Sequence, residues 1–307
     1  MRGEAGRLLL PALSLAVLLG AVFWLQPRAM SYFGLNLLFN LAVPLALATL
    51  AQMTIIMVND IDLGLGTFVS LCACIVATVL HDAPWLGVLT LAGAVAAYAA
   101  MGAFIAAREL PAIVVTLGMS FVWAGLAVTL LPAPGGAAPD WLRAAMTWKP
   151  PLAPLAVLAP VVIAALAHLL VRRSGLGVLL QGAGGNPEAM ARAGRSLVAL
   201  KAAAYGVAGL FAVAAALALV GLTTSADANI ALRYTLLSIA GVILGGGSFT
   251  GGLVSPVGAV IGALTLTLAA SFLSFLRLSP DWQIGAQGAI LILVLAVRLL
   301  VRRRPAR

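Results

Sequence analysis

Two carboxylates, Asp60 and Asp62, sit with Asn59 and two glycines in the run Asn59-Asp60-Ile61-Asp62-Leu63-Gly64-Leu65-Gly66, between apolar stretches at 43–58 and 67–80. A carboxylate in or beside hydrocarbon costs at least a few kcal/mol, so such a pair marks a solute pathway, a proton site or a membrane boundary. Further along the chain, Thr116, Ser120 and Trp123 interrupt an apolar run, and Ser248 and Thr250 lie in Gly245-Gly246-Gly247-Ser248-Phe249-Thr250-Gly251-Gly252. Hydroxyls and amides hydrogen-bond a polar solute and an indole stacks on it, so Asn59, Asp60, Asp62, Thr116, Ser120, Trp123, Ser248 and Thr250 are the candidate pathway residues. For Trp123, plain core packing is the reading its place in a span favours.

No catalytic residues are expected. His81 and His168 stand alone, and H-E-x-x-H, G-x-S-x-G and the phosphate-cradling G-x-x-x-x-G-K-[ST] are all missing, so the chain cannot hydrolyse ATP by that last route. No metal set is expected either. Cys72 and Cys74, two apart in one apolar run, read as buried thiols.

The elements that must position these residues follow from composition. Of 307 residues 63% are hydrophobic and 9% charged, against about 25% charged in a soluble domain. The solvent of this chain is lipid. Continuous apolar runs exclude the alternation of a membrane barrel and predict an all-α polytopic bundle, a single membrane domain over 1–307, with spans near 8–25, 35–58, 63–80, 84–106, 111–131, 152–171, 202–222, 235–251, 254–276 and 284–301. The first run lacks a small-residue cleavage site and reads as an uncleaved span. Net charge +9 belongs to the ends of these runs rather than to a nucleic-acid face. With the N-terminus inside, 13 of the 18 basic residues fall on internal segments and 5 on external ones, which predicts N-in and C-in. Trp24, Trp85, Trp141, Trp148 and Trp282 all fall near span ends, as an interfacial belt requires.

Two loops are long enough for tasks of their own: Pro132–Pro151, external, and Arg172–Lys201, internal. In the second, Gly184-Gly185-Asn186-Pro187 is turn chemistry followed by a short helix with Glu188 and Arg192 paired at i,i+4. It reads either as a solvated connecting helix or as a dock for a cytoplasmic partner. Gly258-x-x-x-Gly262 fits small-residue helix packing, while the dense cluster at 245–252 reads as a helix break, paired with the break at 59–66 as interrupted spans in transporters are. Charge counting puts 59–66 near the internal end of its spans, as a shallow re-entrant break. A faint echo between Leu110–Gly118 and Leu278–Gly285, five spans apart, allows an inverted repeat.

Five segments in order give a family resemblance. Ile61-Asp62-Leu63 with Gly66, Pro111-Ala112-Ile113-Val114-Val115-Thr116-Leu117-Gly118, Gly184-Gly185-Asn186-Pro187-Glu188-Ala189, the 245–252 cluster and Ser279-Pro280-Asp281-Trp282-Gln283 resemble the permease subunits of bacterial binding-protein-dependent ABC importers of the ribose/galactose/xylose type. Asn59-Asp60 stands where that family has Gly-Gly, Gly64 where it has Ser, and Gly247 where it has Thr. The resemblance implies a multi-pass protein of the bacterial inner membrane, importing a monosaccharide or similar small polar solute. It also implies a second permease copy or sister permease, an extracytoplasmic solute-binding protein, and a cytoplasmic ABC ATPase that docks on Gly184, Gly185, Asn186, Pro187, Glu188 and Arg192. ATP and Mg would belong to that ATPase, leaving no cofactor in this chain. The alternatives are a permease of the same class for branched-chain amino acids or nucleosides, or a proton-coupled secondary transporter using Asp60 or Asp62.

Overall fold

The computed structural model describes residues 2–275 together with Gly285 and Ala289. The expected last span at 284–301, the Ser279–Gln283 motif and the second half of the echoed repeat therefore lie outside or almost outside the described residues. The described chain is helical, with α1 (Arg2–Leu25), α2 (Tyr32–Phe39), α3 (Ala42–Ile56), α4 (Leu65–Ala77), α5 (Val79–Asp82), α6 (Pro84–Ala107), α7 (Ala112–Leu130), α8 (Asp140–Thr147), α9 (Leu155–Arg173), α10 (Gly175–Gly185), α11 (Pro187–Arg192), α12 (Leu197–Thr223), α13 (Tyr234–Leu244) and α14 (Pro256–Phe275).

Starts are written in the expected chemistry. Ser31, Ser174, Asn186 and Ser196 cap α2, α10, α11 and α12 with their side-chain oxygens, each accepting from a backbone N–H three residues on. Pro84 and Pro187 occupy the first turn of α6 and α11. Among the described residues eight stretches are long and apolar enough to cross a bilayer, and each overlaps a span read from the sequence. The span expected at 235–251 is too short: its helix α13 has 11 residues, about 16 Å against a hydrocarbon core of about 30 Å.

α3 is the core helix, with every residue from Ala42 to Ile56 buried. Its hydroxyls turn back on their own helix, Thr49 to the Leu45 carbonyl and Thr54 to that of Leu50, so they cost little in an apolar interior. α12 packs on α3, α4 and α6. α6, α7 and α9 turn side chains such as Leu89, Phe121, Leu126 and Leu166 outward, the face a lipid solvent demands. Trp24, Trp85, Trp141 and Trp148 are exposed at helix ends and Trp123 is buried, as the belt pattern predicts.

The small-residue motif is met by a matching one. A Cβ on Gly258 would lie 1.9 Å from the Gly245 carbonyl oxygen, and one on Gly262 would lie 2.1 Å from that of Gly241. Gly241-x-x-x-Gly245 on α13 and Gly258-x-x-x-Gly262 on α14 thus bring two backbones into contact.

Two landmarks fix the ends of the bundle. At one, Gly135 pairs with Ala226, the Ala137 N–H donates to the Ala77 carbonyl, and the Ala138 N–H donates to that of Thr224. This is the α8 end. At the other, the C-terminal end of α10, just before α11, meets the turn that follows α3. This is the α11 end.

Candidate functional site

The acidic segment breaks the membrane helices and turns back into the bundle. α3 ends at Ile56 and α4 begins at Leu65; Met57 to Asp60 are tied back to α3 by their backbone N–H groups, and the rest of the stretch is held mainly by side chains. Asn59 holds a left-handed φ of 64°, a region that Asn tolerates better than most residues. The Asp62 backbone is taken by the buried amide of Gln52, whose nitrogen donates to the Asp62 carbonyl at 3.2 Å and whose oxygen accepts its N–H at 3.1 Å. The Leu63 N–H donates to Thr116 Oγ1 at 3.1 Å. A Cβ on Gly64 would lie 2.7 Å from the Thr116 carbonyl oxygen, so the loop and α7 touch backbone to backbone at a residue without a side chain.

The two carboxylates have different partners. Asp62, with no exposed surface, accepts from the Tyr98 hydroxyl and from the Gly64 N–H at 2.5 Å, at the N-terminus of α4, where the helix dipole favours negative charge. Tyr98 lies nine residues before the end of α6 at Ala107, about 13 Å into the bundle at 1.5 Å per residue. Asp60 pairs with Lys201 of α12, Nζ to Oδ1 at 2.8 Å, and accepts from the Tyr205 hydroxyl at 3.4 Å. The expected shallow break is therefore deep. Charge counting fixes which end a loop serves but not how far it folds back, and the donors that make the depth affordable, Tyr98 and Gln52, come from other helices.

Around Asp62 stands an aromatic group. Phe68 stacks on Tyr98 with centroids 4.2 Å apart, meets Trp123 edge-on at 5.4 Å, and Tyr98 leans on Tyr205 at 5.8 Å. The Trp123 indole N–H is buried without a hydrogen-bond partner among the described residues.

The second interruption lies where the sequence was read as an ordinary external loop. From Ala226 at the α8 end the chain runs down beside α4: the Ala231 N–H donates to Ser70 Oγ at 3.0 Å, and the Gly66 N–H donates to Thr235 Oγ1 at 2.9 Å. Only then does α13 begin, running on to the α11 end. α4 and α13 are thus half-helices pointing in opposite directions, with their N-termini together inside the bundle. The glycine cluster at 245–252 was expected to be the partner of the 59–66 break, but it is the turn that follows α13, and the interruption that meets α4 is 225–233. Its signal was the polar run Thr223-Thr224-Ser225-Ala226-Asp227-Ala228-Asn229, which equally suits an outside loop.

At the α11 end three motifs share one residue. Asn59 Nδ2 donates to the Gly184 carbonyl at 2.8 Å, and its Oδ1 accepts the Gly251 N–H at 3.0 Å. Close backbone approach makes the joint tight. A Cβ on Gly184 would lie 2.0 Å from the Met57 carbonyl oxygen, and one on Gly252, with φ +63°, would lie 2.5 Å from that of Gln181. The neighbouring α11 has no buried residue. Asn186 caps it, Pro187 opens it, and Glu188 and Arg192 pair across one turn at 3.7 Å, both exposed.

The structure thus gathers Asp62, Thr116, Ser120 and Trp123 along the α4–α7 contact, where Thr116 and Ser120 are buried. Asp60 lies a little nearer the α11 end. Asn59, Ser248 and Thr250 lie at that end with Gly184 and Gly185, apart from the aromatic group, and the Ser248 N–H closes the 248–253 turn on the Leu253 carbonyl. Tyr98, Gln52, Lys201 and Tyr205, which complete the polar interior, were not anticipated; Lys201 reads from the sequence as a loop charge, and nothing in the local sequence sets the other three apart from other residues of apolar spans.

A family model described as the branched-chain amino acid transport system permease component matches residues 34–295. The chain is 28% identical over 299 residues, 93% of its length and 91% of the relative's, to the ribose import permease protein RbsC of Escherichia coli K12. It is 30% identical over 308 residues, 94% of its length and 83% of the relative's, to the autoinducer 2 import system permease protein LsrC of Yersinia pestis. Over 140 residues, 44% of its length and 42% of the relative's, it is 32% identical to the galactose/methyl galactoside import permease protein MglC of Haemophilus influenzae. No solved structure matches the chain.

Proposed function

The chain belongs to this transport-system permease family, and from that premise we propose that it is the membrane subunit of an ABC importer for a monosaccharide or similar hydroxyl-rich solute. The observation that carries the proposal is the Asn59 joint. One side chain ties the end of α10 to the 59–66 break and to the turn that follows α13, so a force on α11 reaches the half-helices α4 and α13 without passing through a flexible linker. In this reading α11 takes the push of a cytoplasmic ATPase, the α8 end receives solute from an extracytoplasmic binding protein, and a second permease closes the path. Asp62, Thr116, Ser120 and Trp123 hold the half-helix starts in register, with Asp60 clamped to α12. In this reading the N-in orientation, inferred from the distribution of basic residues, puts α11 and the Arg172–Lys201 loop on the ATPase side.

Relatives matched over nine-tenths of the chain carry the names of ribose and autoinducer 2, which favours a sugar-like solute over a branched-chain amino acid despite the wording of the family description. The test is uptake of radiolabelled D-ribose, D-galactose and L-leucine by cells making the chain with and without its cognate ATPase and binding protein. Sugar uptake that needs both partners, survives an uncoupler and is lost in Glu188→Lys or Arg192→Glu, with membrane insertion intact, is the expected result. Uptake by the chain alone that an uncoupler abolishes would overturn it in favour of a proton site at Asp60 or Asp62.

A further inference from the structure

Between α2, α3, α13 and α14 lies an open cavity of about 370 Å³ whose polar lining includes Asn40, Arg233, Tyr234, Thr267, Ser271 and Ser274. Arg233 is its strongest group, and its place in the bundle is unexpected. Its neighbours Ala231 and Thr235 meet α4 at Ser70 and Gly66, seven to eleven residues below Ala77 at the α8 end, or about 10–16 Å down a helix rising 1.5 Å per residue. Counted from the sequence as an external charge, Arg233 instead opens α13 inside the bundle, beside the N-terminal half of α4. It is exposed to the cavity side of the chain and forms no ion pair among the described residues. It also sits at the N-cap of the half-helix α13.

We propose that this cavity is a water-filled station for solute, and that Arg233 is its specificity-determining group, giving its five donors to the acceptor oxygens of a hydroxyl-rich solute. The inference rests on the importer reading above and adds to it the site and the chemistry. An arginine at this depth without an ion pair among the described residues is costly and is kept where it faces water or a solute, and its planar fork suits paired oxygens better than a lysine does. The amide of Asn40 and the hydroxyls of Thr267 and Ser271 line the same cavity, while Leu37, Leu41, Leu237 and Leu266 supply the apolar walls that sugar rings also pack on. The volume fits one small ring compound with some water.

Two arms test it in a chain whose buried Cys72 and Cys74 are replaced by alanine. Cysteine placed at Ser271 reacts with membrane-impermeant methanethiosulfonates, whereas cysteine at the lipid-facing Leu126 does not. Arg233→Gln lowers the ratio of the rate for the anionic sulfonatoethyl reagent to that for the cationic trimethylammonium reagent at Ser271 about fivefold. An unreactive Ser271 position, or a ratio unmoved by Arg233→Gln, overturns the proposal whatever the transported solute. In the second arm, Arg233→Gln lowers uptake of D-ribose or D-galactose tenfold or more with normal protein level, and Arg233→Lys restores only part of it. Full uptake by Arg233→Gln removes Arg233 from the path but leaves the importer intact. Failure of the wild type to take up either sugar, with the labelling pattern as expected, would strike the sugar reading and leave the cavity standing.

Discussion

Lys201 and Asp60 form an ion pair at 2.8 Å that pins α12 to the loop between α3 and α4, and its two ends differ in their access to water: the lysine side chain is 26% exposed and the aspartate 8%. The pair crosses 141 positions of sequence and is supported by the Tyr205 hydroxyl. Removing one partner of a buried pair costs chiefly through the charge left behind, so the two deletions are unequal. Lys201→Met strands a buried carboxylate and should cost about 3 kcal/mol, whereas Asp60→Asn leaves a lysine that can turn to water and should cost about 1 kcal/mol. The double variant should recover most of the loss. Thermal unfolding of the detergent-purified protein, run as a double-mutant cycle, measures the difference; equal losses in the two single variants would show that the pair is solvated in solution.

Asn59 is both a conformational and a hydrogen-bonding choice. Asn59→Gly keeps the φ of 64° and loses the bonds to Gly184 and Gly251, while Asn59→Asp keeps the acceptor for Gly251 and loses the donor. If the joint transmits force, both variants assemble and hydrolyse ATP with their partners but transport several-fold less per ATP. The ratio of solute moved to ATP hydrolysed in proteoliposomes reads this directly. An unchanged ratio in both variants would reduce Asn59 to a local turn residue.

The glycine contact between α13 and α14 predicts a sharp contrast. Gly258→Ala puts a methyl against the Gly245 backbone, which cannot swing aside, so the two helices must separate and the folded yield should fall severely. Gly93 and Gly125 have open space where a Cβ would go, and alanine there should be neutral or stabilising by up to about 1 kcal/mol. Fluorescence-detected size-exclusion of the solubilised variants separates the cases. A well-folded Gly258→Ala protein would mean that the helices are held apart in the membrane.

What could be read from the sequence was set by local chemistry. Apolar length located the spans, Asn186-Pro187 with the Glu188/Arg192 spacing gave α11, and Gly258-x-x-x-Gly262 gave one side of a helix contact whose other side, Gly241 and Gly245, was in view but not paired with it. Depth and partnership were not legible. That Asp62 lies about nine residues inside the end of α6 depends on Tyr98 and Gln52, two residues of ordinary apolar runs that become donors only when α3, α4 and α6 meet. The same blindness made Arg233 an external charge, because a polar segment that runs inward along α4 has the composition of one that stays outside. For the same reason 245–252, the densest glycine run, was paired with the acidic break, although a tight turn and an interrupted span need the same residue.

The buried Tyr98–Asp62 bond should be worth more than its hydroxyl alone suggests. A hydrogen bond to a charged group contributes about 1.5–3 kcal/mol and a neutral one about 1 kcal/mol, and Asp62 has no water to replace a lost donor. Tyr98→Phe keeps the stacking on Phe68 and removes only that donor, so it should destabilise by about 2–3 kcal/mol in the native background. With Asp62→Asn the acceptor for Gly64 is kept and the charge is gone, so adding Tyr98→Phe should then cost about 1 kcal/mol or less. The difference, read from thermal unfolding of the four proteins, is the coupling of the hydroxyl to the charge. Equal effects of Tyr98→Phe in both backgrounds would mean that Asp62 carries a proton in the folded protein, and its role would then be that of a neutral carboxylic acid holding the start of α4.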